Sequence, residues 1–95
     1  MSTNKNDANK AAVLGSLEAL RAALKNEPDN PAVARALDQC GRLELAISQF
    51  HAEGLRFAAF TLLRMVQSSG TAFTEPVHSA THHLKSALEA ARYPH

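Results

Sequence analysis

Apolar residues recur along this chain at helical rather than strand spacing. Val13, Leu17, Leu20 and Leu24 follow a four-three-four pattern that places them on one helix face. Glu18, Arg21 and Lys25 fall elsewhere on the same turns. The pattern predicts a first helix from about Ala8 to Asn26, with Asp7 as its N-cap, after a polar tail over residues 1–7. The segment Glu27-Pro28-Asp29-Asn30-Pro31 ends it. Pro28 disfavours helix at Glu27, and Asn30 before Pro31 opens the next helix. So short a link implies an antiparallel helix hairpin.

From Pro31 to Ser69 no proline interrupts a run of good helix formers. Its first half places Val33, Ala36, Leu37, Cys40, Ile47 and Phe50 on one face. Its second half places Leu55, Ala58, Ala59, Leu62, Met65 and Val66 on another. At 100° per residue the second face is rotated by roughly 60° from the first. The mismatch centres on Gly54. One reading ends a helix there, with Gly54 at C′ and Leu55 touching Phe50 in a Schellman cap. The other bends a single helix through it. No capping side chain restarts a helix at Arg56-Phe57, so the expectation is one long, bent middle helix. Four helices result if Gly54 breaks it.

Ser68-Ser69-Gly70 closes this run within a loop over residues 67–74. Thr74 is placed as N-cap of the last helix, with Glu75 and Pro76 in its first turn. Val77, Ala80, Leu84, Ala87, Leu88 and Ala91 line one face up to about Arg92, and Pro94 stops it. The fold class is therefore all-α: a small antiparallel bundle forming a single domain over residues 8–93.

Composition agrees. The 95 residues contain four Phe, one Tyr and no Trp, and the apolar content is mostly Ala and Leu. The formal net charge is +1, with ten Lys and Arg scattered along the chain in no block. A nucleic-acid partner is disfavoured, because such proteins gather positive charge on one face. One cysteine, Cys40, excludes an internal disulfide and fits a reducing compartment. No apolar run is long enough to span a bilayer, and residues 1–9 lack the apolar core of a signal peptide. The expected setting is cytoplasmic, with no membrane partner.

Assembly is the open question raised by the long middle helix. A first helix covering one half and a last helix covering the other leave two thin hairpins. A second chain would complete the core, most simply as a symmetric homodimer; if the helix breaks at Gly54, a monomeric four-helix bundle becomes possible. The second half of the middle helix also carries surplus apolar surface. Phe57, Phe60 and Leu63 are placed on the side opposite the Leu62 stripe, between Arg56 and Arg64. Aromatic anchors flanked by arginine stems are typical of interface centres. Leu55, Arg56, Phe57, Phe60, Leu63 and Arg64 are therefore the candidate interface, for a second copy or a heterotypic protein partner.

Candidate chemistry is sparse. His78 and His82 lie four apart on a helix, so both could reach one ion, but two ligands do not make a site. Cys40 and His51 are about 16 Å apart on one straight helix and cannot share an ion. Residues 82–87 read His-His-Leu-Lys-Ser-Ala. This segment resembles the phosphoacceptor segment of histidine phosphotransfer domains, His-x-Leu-Lys-Gly followed by a small residue. The resemblance covers six residues. It implies His82 as acceptor, Lys85 as charge partner and Ser86 at the small position. Ser86 stands where the family has Gly, and Leu88-Glu89-Ala90-Ala91 continues the helix where the family has a turn. Cys40 lies on the apolar stripe as a buried structural thiol. No phosphate loop, nucleophile elbow, paired-cysteine motif or paired carboxylates occur. The sequence thus points to a non-catalytic interaction module without cofactor or metal, or alternatively to a signalling module using His78 and His82.

Overall fold

The computed structural model describes residues 5–49, 52–68 and 72–91. Four helices and no strand occur among them: α1 (Lys5–Lys25), α2 (Pro31–Gln49), α3 (Ala52–Gln67) and α4 (Glu75–Ala90). The chain is all-α, as its periodicity implies. The expected long middle helix is instead two helices, and the break does not fall at Gly54. α2 ends at Gln49 and α3 begins at Ala52; Phe50 and His51 lie outside the described residues. Gly54 belongs to the first turn of α3. The start that the sequence seemed to lack is supplied by Glu53, an acid in that first turn, where the helix dipole favours negative charge. The two apolar faces that the sequence sets roughly 60° apart belong to separate helices, α2 and α3, which pack on each other.

Helix boundaries elsewhere follow local chemistry. Asn30 caps α2, its Oδ1 accepting the Val33 amide at 3.0 Å, while its Nδ2 donates to the Pro28 carbonyl at 3.2 Å. α1 closes with the Asn26 and Glu27 amides on the carbonyls of Ala23 and Leu24, a tightened last turn. Its start differs from expectation. The helix begins at Lys5, inside the segment expected as tail, and Asp7 is within it rather than capping it. α4 begins after Thr74, which has the extended backbone of an N-cap. Ser69, Gly70 and Pro94, where the sequence placed stops, lie outside the described residues.

Each helix packs on its neighbours in the chain, and α4 returns to pack extensively on α1. Short links make this an up-down-up-down ring of four. The core is enclosed within one chain. Val13, Leu17, Leu20 and Leu24 of α1 meet Val33, Ala36, Cys40, Leu43 and Ile47 of α2. Leu55, Ala58, Ala59, Leu62 and Val66 of α3 and Val77, Leu84 and Leu88 of α4 complete it. Phe73, from the α3–α4 loop, is buried against the same core. The two thin hairpins expected of a continuous middle helix are absent, because that helix is two. α3 packs on α2 and α4 on α1, so the faces of all four helices converge within one chain.

Two polar devices fix neighbouring helices. Arg21 of α1 bridges Glu18 at 3.0 Å and Glu44 of α2 at 2.6 Å. Gln39, buried on α2, donates through Nε2 to the Ala58 carbonyl of α3 at 3.1 Å. Thr81, buried on α4, satisfies its hydroxyl by donating to the Val77 carbonyl one turn back at 2.8 Å. No buried side-chain polar atom among the described residues is left without a partner. No helix among them is long and apolar enough to cross a membrane.

Candidate interaction surface

α3 packs against α2 on one flank and α4 on the other, which leaves one stripe facing outward. Glu53, Phe57, Phe60 and Arg64 recur at four-three-four spacing and occupy that stripe. Phe57 is 72% exposed and Phe60 50% exposed, the two largest bare apolar side chains of α3. Phe57 leans towards α2, where it shares an open groove with Leu45, Ala46 and Gln49. Leu45, 57% exposed, extends the apolar patch across that groove. Phe60 leans towards α4 and borders a shallow cleft with Leu63, Arg64, Gln67 and Lys85. The Arg64 guanidinium lies 5.8 Å from the Phe60 ring centroid, a cation–π contact that holds the ring against its own helix.

The six candidate interface residues are thus divided. Phe57, Phe60, Arg56 and Arg64 are on the surface. Leu55 and Leu63, at 4% and 7% exposure, are withdrawn into the bundle. The helix wheel explains the division. Leu55 falls within about 20° of Leu62 and Leu63 about 100° from it, inside the arc that two flanking helices cover. Phe57 and Phe60 lie about 140° and 160° away and escape it. Leu45 was not among the residues singled out from sequence. Its only sequence signal is that it stands off the α2 apolar stripe.

Glu53, Arg56 and Arg64 have no ion-pair partner among the described residues; the pairs present are Arg21 with Glu18 and Glu44, and Arg42 with Asp38 at 2.9 Å. The outward stripe is therefore two exposed rings flanked by one anion and one cation, neither of them ion-paired among the described residues.

The histidines stand apart from this face. On α4, His82 and His83 are exposed and His78 is partly covered. The His82 and His83 rings are tilted at 53° with centroids 6.3 Å apart. Among the described residues no three His, Cys, Asp or Glu side chains are grouped so as to hold a metal ion. Lys85, one turn beyond His82, is partly covered in the α3–α4 cleft. Cys40 is fully buried. Burial pushes its thiol from an ordinary value of 9.0 to about 11, outweighing the lowering effect of the Arg21 charge. The thiol is held neutral, which suits packing and not nucleophilic chemistry.

No family model, curated protein or solved structure matches this chain. The outward face of α3 itself carries the functional argument.

Proposed function

We propose that this protein is a small, non-catalytic helical interaction module that self-associates through the outer face of α3. The observation that carries this is the bare Phe57–Phe60 pair in a chain whose other large apolar side chains, Leu45 apart, are covered among the described residues. A phenylalanine offers roughly 200 Å² of surface, so the two rings leave about 250 Å² bare, and Leu45 adds to it. Stable interfaces cover about 800 Å² per partner. The apolar patch is smaller than that, so the association is weak, with dissociation constants on the order of micromolar or above.

Sedimentation equilibrium of the full chain tests this. The wild type dimerises as concentration rises. Phe60→Asp gives a folded monomer, because the ring is half exposed and its loss does not open the core. A wild type that stays monomeric up to about 1 mM overturns the proposal. It would also turn attention to a heterotypic helix as occupant of the face.

A second reading assigns signalling to His78 and His82. It is favoured by the exposure of His82 with Lys85 one turn further along α4. Incubation with acetyl phosphate, and separately titration with zinc, tests it. Phosphoryl uptake or zinc binding abolished by His78→Gln/His82→Gln supports it, and neither being detected sets it aside.

A further inference from the structure

We infer that the second copy packs antiparallel, α3 against α3, about a two-fold axis midway between Phe57 and Phe60. This rests on the self-association proposed above and adds its geometry. The outward stripe Glu53, Phe57, Phe60, Arg64 has the four-three-four spacing of a two-helix coiled-coil seam. An antiparallel pair with its axis between the two rings sets Phe57 of each chain against Phe60 of the other. Glu53 and Arg64 each lie four residues beyond their phenylalanine, in opposite directions. The same register therefore places Glu53 of each chain opposite Arg64 of the other, twice by symmetry. Both groups are exposed and lack an ion-pair partner within the chain among the described residues. A parallel pair would instead oppose Glu53 to Glu53 and Arg64 to Arg64, which repel. The stripe is self-complementary in one orientation only.

The register also accommodates the flanks. The aliphatic stem of Arg64, already lying over Phe60, covers the rim of the aromatic pair. Leu45, beside Phe57 on the α2 flank, widens the surface at each end of the seam.

Charge reversal on the full chain tests the register. Glu53→Arg and Arg64→Glu each convert two attractive pairs into two repulsive ones. Each weakens self-association about tenfold at low salt, with folding followed by circular dichroism. The double variant E53R/R64E restores the pairs and returns the dissociation constant to within about threefold of wild type. Mixing the two single variants gives a heterodimer tighter than either homodimer, and salt reduces these differences. A dimer that forms but shows no loss in the single variants, or no recovery in the double variant, overturns the antiparallel register while leaving self-association in place. A wild type monomeric throughout overturns both.

Discussion

The Glu27 carboxylate accepts two hydrogen bonds from Thr74, one from its amide and one from its hydroxyl, each 2.7 Å long. This ties the end of α1 to the start of α4 across 47 residues of sequence. Thr74 is the N-cap of α4, yet its side chain makes no capping bond to its own helix. Glu27 thus adds a negative charge from another element to that of Glu75 in the helix's own first turn. Glu27→Ala should therefore cost about 1 kcal/mol, lowering Tm by about 4–8 °C. Thr74→Ala should cost less by itself, since only the hydroxyl bond is lost. A double-mutant cycle should show the two effects to be coupled. Additive effects would mean that the contact contributes nothing in solution.

Gln39 is a polar side chain facing a carbonyl inside α3, and Ala58 keeps its helical bond partner when Gln39 is gone. Gln39→Leu should therefore be tolerated within about 1 kcal/mol. Gln39→Ala leaves a cavity between α2 and α3 and should cost about 2–3 kcal/mol. Gln39→Glu would bury a carboxylate against a carbonyl oxygen and should cost more than either. Urea denaturation of the three variants gives the order directly.

The four-helix architecture was legible in pieces. The α1 stripe, the Asn30 cap, Thr74 as the start of α4 and the rotated faces of α2 and α3 were all readable, because each depends on residues close in sequence. The middle segment is expected as one bent helix, with Gly54 as the alternative stop; it is two helices, with Gly54 inside the first turn of α3, because α3 packs on α2 and that contact is not local in sequence. The candidate face was half legible. Phe57 and Phe60 stood off the stripe in sequence, but the width of the buried arc depends on two neighbouring helices. That width moved Leu63 inward and left Leu45 outside. Glu27 and Gln39 carry no sequence signal for their roles, because both partners are distant in the chain.

Truncating α3 side chains should separate its two faces. Leu63→Ala removes a covered side chain at the α3–α4 seam and should lower stability by about 2–3 kcal/mol. Phe57→Ala, on a ring left mostly bare, should change monomer stability by less than about 1 kcal/mol while weakening self-association. Thermal unfolding at a concentration where the wild type is monomeric isolates the first effect, and sedimentation reads the second. A Phe57→Ala loss as large as that of Leu63→Ala would show the ring to be buried in the monomer.

Gly15 offers a stabilising change. It sits inside α1, is exposed, and a Cβ built there meets nothing within 4 Å. Glycine costs a helix interior about 0.5–1 kcal/mol relative to alanine. Gly15→Ala should raise stability by about that amount. A decrease would show that another group occupies the space beside it in solution.

Cys40 should make the fold sensitive to alkali. Its thiol ionises near 9.0 when unfolded and near about 11 when buried. Above the unfolded value the open chain releases a proton that the folded chain retains, so the unfolded state binds fewer protons and gains as pH rises. The stabilisation is intact below pH 9 and is lost through the window up to about pH 11, at a slope of at most about 1.4 kcal/mol per pH unit. Cys40→Ala removes the titrating group. It should start less stable at neutral pH, because it leaves a small cavity, yet lose less stability than wild type between pH 9 and 11. Denaturant midpoints measured across that window compare the two slopes. A native thiol that reacts with a disulfide reagent as fast as the unfolded chain would contradict the burial on which this rests.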